Sequence, residues 1–461
     1  MSDVSLNNQS FRIDSSYFIK SSSLMDKKLR ECPHFFLRNN EVVSGPFGST
    51  LKSHAYLTEG VPFVRVQNIR GGFEIQKNEI VYISEEDNDR LKNSQLFVDD
   101  VVLSKVGNTI GYYARVDEEL QRCNISENNI GIKLSAYSVA KRHYILSFLN
   151  SVYGNVLTLR KISGNAQPKL NVSDISEIPI PLKDEHFEND VSALVLKSRE
   201  LKHQSTAIFA KAETLLLDTL GMADFSPSAE AINVKSYHES FAATGRLDAE
   251  YYQPKYEDYQ AHVLAYSNGW QPLMQACNLK DSNFTPDDFT TFKYIELADI
   301  DNSGGITGCT EALGNELPSR ARRIVGEGDV LISSIEGSLS SCAIVPKIMG
   351  GSLCSTGFYV INSDKINSET LLVLFKSPLM QNLLKQGCSG TILTAINKTE
   401  FQNIPVPIIE GGAQTKIAAL VKDSFSLKAE SKRLLDVAKR AVEIAIEQDE
   451  NAGMAYIEAN S

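Results

Sequence analysis

Glu74 and Lys77, in the stretch FEIQK, stand at a nuclease-like E-x-K spacing. No Pro-Asp pair precedes them at the matching distance, so the spacing reads as chance. Other reactive patterns are missing too. There is no GxxxxGK[ST] loop to cradle a nucleotide, and no [DN]PP[YF] tetrad for amino-methylation of a base. The glycines of SGGITG do not follow a strand in a dinucleotide-binding pattern and read as a turn. The seven histidines all precede Val263 and form no HxxxH pair, so neither a Ser-His-Asp set nor a histidine metal site can be drawn. The seven cysteines are scattered without a CxxC pair, which fits reduced, structural thiols in a cytoplasm rather than zinc ligands. The expectation is a binding protein with no catalytic residues and no metal.

The elements that would carry such binding fit a chain of 461 residues, enough for two to four domains. Hydrophobic residues make up 42% and charged residues 22%, an ordinary globular balance. No apolar run approaches the ~20 residues of a membrane helix, and MSDVSLNNQSFRID lacks the basic-then-apolar pattern of a secretory signal. Net charge is −11, with about −2 on residues 1–225 and about −9 on the rest. That argues against binding nucleic acid through bulk electrostatics alone. A DNA reader with local basic loops remains compatible, helped by a partner.

The main signal is a duplication. SGNAQPKLNVSDISEIPIPL at 163–182 returns as SGTILTAINKTEFQNIPVPI at 389–408. RIDSSYF at 12–18 matches RLDAEYY at 246–252. VPFVRVQNI, ending at Ile69, matches TFKYIELADI, ending at Ile300. DDVVLSKVGNTIG at 99–111 matches EGDVLISSIEGSLS at 327–340. The parts keep one order, so the chain reads as two copies of one mixed α/β unit related by a pseudo-twofold.

Each Ile-Pro-φ-Pro-φ segment (φ, apolar) is followed by a long helical pattern. The first stripe is Val191, Leu194, Ser198, Leu201, Ser205, Ile208, Ala212 and Leu215. The second is Ile417, Leu420, Ser424, Leu427, Ser431, Leu434, Ala438 and Ala441. Steps of three and four alternate without a break, and both serines recur at the same steps. A helix packed only on its own domain could show such a stripe. Its narrowness, its persistence over four heptads and its small residues favour helix against helix, packed antiparallel. About 33 residues at ~1.5 Å each would make a rod of ~50 Å.

The order GPFGSTLKSHAYLTEGVPFVRVQNI, DDVVLSKVGNTIG, SGNAQPKLNVSDISEIPIPL and a long helix, all repeated, resembles the specificity subunits of type I restriction–modification systems. The resemblance spans nearly the whole chain. It implies an α+β fold of two pseudo-twofold-related mixed α/β target-recognition domains, joined by two long antiparallel coiled-coil helices. The parts would be 1–187, the first recognition domain; 188–222, the first conserved-region helix; 223–411, the second domain; 412–450, the second helix; and 451–461, a tail. The implied function is non-catalytic, cytoplasmic and part of phage defence. Each domain reads one half of a bipartite double-stranded DNA site. Implied partners are two adenine-N6 methyltransferase subunits and, for cleavage, restriction/translocase subunits. S-adenosylmethionine, ATP and Mg would belong to those partners. The second copy departs from the pattern: NLKDSNFTPDDFTTF stands where a GPFGS loop is expected, and Glu336 stands where a basic residue is frequent.

Reading bases needs polar and basic side chains on loops that enter the major groove. In the first half the candidates are Lys52, Arg65, Gln67, Asn68, Lys105, Asn108, Thr109, Gln167 and Lys169. In the second they are Arg320, Arg322, Arg323, Ser333, Ser334, Ser338, Thr391, Asn397 and Lys398. The run SRARR at 319–323 fits a phosphate clamp or a solvated face equally well. A protein-binding assembly scaffold and the recognition component of a related methylation-based defence system stand as alternatives.

Overall fold

The computed structural model describes residues 20–46, 51–70, 73–77, 80–107, 109–163, 168–230, 232–390 and 394–461. The chain divides into two compact units: Met1–Lys202 with Ala429–Ser461, and His203–Lys428. Both are mixed α/β.

In the first unit a five-stranded sheet has the order Val42–Ser44, Asn129–Ile132, Val101–Ser104, Tyr113–Arg115, Phe73–Glu74. A four-stranded sheet runs Val81–Ile83, Val61–Val64, Arg122–Ile125, Leu96–Phe97. The central strand, β1 (Val101–Ser104), is buried at every position. That fits a sequence of three consecutive apolar residues, Val101–Leu103, rather than an alternation. Val64, Val102, Ala114 and Ile125 bring both sheets into one core.

The second unit is built on the same pairings. Its central strand, β2 (Val330–Ser333), lies antiparallel between Phe358–Asn362 and Cys342–Ile344, as β1 lies between Asn129–Ile132 and Tyr113–Arg115. Tyr294 and Ile295 run parallel to Leu353 and Cys354, as Phe63 and Val64 do to Asn124 and Ile125. The turn before the strand recurs as well. Asp100 accepts the backbone N–H of Phe97, and Asp329 that of Gly326. The residue before each aspartate is left-handed, with φ 69° at Asp99 and 78° at Gly328. Glycine adopts this freely; Asp99 is kept there by ion pairs described below.

After each Ser-Gly segment the prolines sit in a short edge pairing, Ile180–Pro181 with His34–Phe35 and Pro405–Pro407 with Trp270–Pro272. Proline lacks a donor, and only such short edges tolerate it. Then come the long helices, α1 (Glu185–Thr219) and α2 (Gly411–Glu447). Asp184 caps α1 by accepting the Phe187 N–H at 2.7 Å. Beyond its end Gly221 turns left-handed, φ 69°, and Met222 donates back to the Leu217 carbonyl.

The division between units falls inside both helices, so each unit contains a piece of each. In the first unit the Ser198 and Ser431 hydroxyls lie 2.9 Å apart, and Ser431 lies within 2.8 Å of the Ser198 carbonyl. Lys183, just before α1, donates to the Ala445 carbonyl near the end of α2, so the two pieces run antiparallel there. In the second unit Ser205 and Ser424 each lie within hydrogen-bond reach of the other's carbonyl, at 2.8 and 2.9 Å. Of the two apolar stripes, Val191, Leu194, Ser198, Leu201, Ser205, Ala212, Ile417, Ser424, Ser431, Leu434, Ala438 and Ala441 are buried. Ile208, Leu215, Leu420 and Leu427 are only half-buried. Phe209, Leu216 and Val421 occupy the buried places beside them and join the core of the second unit. The buried face is therefore wider than a heptad seam, because each helix also covers its own unit.

Burial decides the cysteine chemistry. Cys123, Cys277, Cys342, Cys354 and Cys388 are buried, whereas Cys32 and Cys309 are half-buried. Burial pushes the Cys342 thiol up to about 11 and those of Cys277, Cys354 and Cys388 up to about 12. Thiolates are the reactive form. An aromatic disulfide reagent is expected to titrate only Cys32 and Cys309 quickly in the native chain, and all seven thiols after denaturation. Fast native reaction of a third thiol would contradict this packing. Among the described residues no helix is long and apolar enough to cross a membrane.

Candidate nucleic-acid interface

In the first unit the candidates gather where β1 ends. Thr109 donates its hydroxyl proton to Ser104, the last residue of β1, at 2.8 Å. The next residue, Lys105, donates its N–H to the Asn128 carbonyl and accepts from Leu170 N at 3.0 Å. Ser163 and Lys169 exchange two backbone bonds, which bring the two ends of the Ser-Gly segment together. Lys105, Thr109 and Lys169 thereby share one edge. The Lys105 ammonium lies 3.4 Å from Ser44 Oγ, and Lys169 is exposed. Asn108 and Gln167 lie outside the described residues.

A second group surrounds the turn after Val61–Val64. The Arg65 guanidinium lies 5.6 Å from the Tyr56 ring centroid, a cation–π contact that sets its direction. Burial raises the Tyr56 phenol, partly opposed by the Arg65 charge. Asn68 is buried. Its Oδ1 accepts the Arg65 N–H and its amide donates to Gln76 O, so this side chain shapes the loop instead of projecting from it. Gln67 is half-buried and Lys52 exposed.

The second unit repeats the main bonds of the first arrangement. The Ser333 and Ser338 hydroxyls lie 2.9 Å apart, in the place of Ser104 and Thr109. Ser334 accepts from Ile396 N at 2.9 Å, as Lys105 accepts from Leu170. Cys388–Ser389 pairs with Ala395–Ile396, closing the Ser-Gly ribbon, and Glu336 N donates to Thr394 O. Asn397 caps the helix Lys398–Asn403 by accepting the Glu400 N–H. Lys398 is exposed and paired with Asp281, whose carboxyl it draws down. Thr391 lies outside the described residues.

The run at 319–323 does not act as one patch. Arg320 is exposed. Arg322 donates to Ser319 O and approaches Thr285. Arg323 turns inward, donating to the Phe358 carbonyl and lying 5.7 Å from the Tyr359 ring centroid. Ser333 is wholly buried, and the Ser334 hydroxyl donates to Gly357 O, so both serines hold the strand end together.

Glu74 and Lys77 meet other partners. Glu74 pairs with Arg115 and with Lys202 of α1, and Lys77 with Asp117 and Glu119. Among the described residues no His, Cys, Asp and Glu group is arranged to hold a metal ion. The sequence reading also passed over two lysines that join the long helices to the units. Lys202 of α1 reaches Glu74. Lys428 of α2 reaches Asp301 at 2.5 Å and Ser303 at 2.7 Å. The signal was available, since both stand at the same step of the duplicated helix. Asp301 is held low: burial opposes its charge, but Lys428 outweighs it.

Residues 278–437 match the family model described as the type I restriction modification DNA specificity domain. That match covers less than half of the chain and likens this segment to a DNA specificity domain. The chain therefore contains a segment similar to that specificity domain. It is similar in structure to the S subunit of a type I restriction–modification system from M. genitalium, at 13% identity, 93% coverage of this chain, 96% of that one and a TM-score of 0.34. It is also similar to the HsdS subunit from Thermoanaerobacter tengcongensis, at 14% identity, 92% and 96% coverage and a TM-score of 0.27. Scores so low add no weight to the family match. No curated protein sequence matches the chain.

Proposed function

We propose that each unit is a target-recognition head for one half of a bipartite DNA site, and that α1 and α2 are the spacer between the two readings. The carrying observation is the repeated strand-end edge: Lys105 with Thr109 and Lys169 in one unit, Ser334 with Ser338 and Ala395 in the other, followed there by Asn397 and Lys398. Basic and amide side chains on such edges can reach base edges and phosphates. A chain of net charge −11 is poorly served by counterion release alone. The reading therefore includes two adenine-N6 methyltransferase subunits, bringing S-adenosylmethionine, and restriction/translocase subunits using ATP and Mg. This chain would bind none of those cofactors itself.

The test is sequencing of methylated sites in cells carrying the chain with its methyltransferase. Lys105→Ala is expected to relax one half of the site only, by the ~1–3 kcal/mol of a good base contact. Without the methyltransferase the chain should shift DNA weakly and without sequence preference. Equal loss at both halves would refute the assignment of one head to one half-site, and full specificity without the partner would refute its role.

A further inference from the structure

The segment RLDAEYY at 246–252 matches RIDSSYF at 12–18 in sequence, yet no residue of 246–252 belongs to the edge described above. In the second unit Arg246 is nearly enclosed, its side chain 11% exposed. Its guanidinium donates to two consecutive carbonyls, Cys388 O at 2.7 Å and Gly387 O at 3.4 Å. Asp248 holds the other side of the fork, accepting at 2.8 and 2.5 Å. Tyr251 lies beneath, its ring centroid 4.3 Å away, and the Tyr252 hydroxyl ties back to the Arg246 carbonyl. So the motif has one fork, one orienting carboxylate, one platform and one tie.

The two carbonyls it grips are at a decisive place. Gly387 ends the helix Pro378–Gln386, where a cation meets the negative end of the helix. Cys388 starts the Ser-Gly ribbon; it pairs with Ile396, whose N–H donates to Ser334 at the end of β2. A displacement of Cys388 would pass directly to Ala395 and Ile396, the strand it pairs with.

We propose that Arg246 is a positioning residue for DNA recognition: it fixes the stem of the 388–396 ribbon so that the second unit presents one conformation to its half-site. This rests on the proposal that the ribbon faces DNA. The arrangement requires arginine, because a lysine ammonium cannot span both carbonyls and the carboxylate in one plane. The same spacing stands in the sequence at Arg12, Asp14 and Tyr17, which lie outside the described residues.

The test compares wild type, Arg246→Gln, Arg246→Lys and Asp248→Asn in the full chain co-expressed with its methyltransferase. Hydrogen exchange across 387–397 reads the stem without reference to DNA. Arg246→Gln is expected to raise exchange there about tenfold while the melting temperature moves little. Discrimination at the half-site read by the second unit should fall about tenfold, with the other half-site unchanged. Arg246→Lys should lie between, and Asp248→Asn, which keeps the arginine, should show the same pattern more weakly if the glutamine variant does not fold. Wild-type exchange across 387–397 in the folded variants would overturn the clamp, as would equal loss at both half-sites. A wild-type complex that methylates without sequence preference would instead overturn the recognition reading, and the exchange arm would still decide the clamp.

Discussion

Replacing Arg115 by alanine is expected to destabilise the first unit by about 3–5 kcal/mol, the usual loss when one member of a buried ion pair is removed. Arg115 is 2% exposed. Its guanidinium reaches Asp99 at 2.9 Å, Glu118 at 3.1 Å and Glu74 at 3.6 Å. Asp99 also faces His143 at 3.5 Å and, at 4.0 Å, Arg142 and Arg199 of α1. Burial pushes the Asp99 carboxyl up, but the neighbouring His143 and the Arg115 charge outweigh this and hold it down at about 2. A depressed carboxylate stabilises the fold above its ordinary pKa, and that contribution fades as pH falls from about 4 towards 2. Removing Arg115 should therefore shift acid unfolding to higher pH and cost less at pH ~3 than at pH ~7. Urea denaturation at both values measures it. A loss below about 1 kcal/mol, or one independent of pH, would mean that the pair contributes little.

Enlarging the serine crossing of the second unit should be nearly as harmful. Ser424 is wholly buried, its hydroxyl 2.9 Å from the Ser205 carbonyl and 3.0 Å from the Ser205 hydroxyl. The two backbones can come so close only because both side chains are small. Ser424→Leu adds volume where there is none and removes a donor, so a cost of about 3 kcal/mol or more is expected. Ser424→Ala keeps the approach and loses mainly the hydrogen bond, about 1 kcal/mol. Denaturation of the two variants side by side separates volume from hydrogen bonding. Equal stability of the leucine and alanine variants would show that the crossing has room to spare.

Much of this architecture was legible from local pattern. The duplication, the order of its parts and the two long helices follow from residue types at fixed short spacings, which the backbone converts directly into strands and turns. The Asp100 and Asp329 turns, the proline edges and the Gly221 stop belong here, because each depends on partners within a few positions.

Other features depended on residues far apart in sequence. Asn68, Ser333 and Arg323 have the chemistry of DNA readers, yet the fold turns them onto the Gln76 carbonyl, the Ser338 hydroxyl and the Phe358 carbonyl. The buried face of the helices slips from Ile208 and Leu215 to Phe209 and Leu216 because the second unit's core lies to one side of the seam. Arg246 gained its meaning only when Gly387 and Cys388 came beside it. Periodicity is set by neighbours one helical turn or one strand step away, so the sequence by itself determined two equivalent units and their helices. A polar side chain takes whichever partner burial leaves within 3 Å, and only the tertiary structure decided which lysines and arginines face outward and which hold the molecule together.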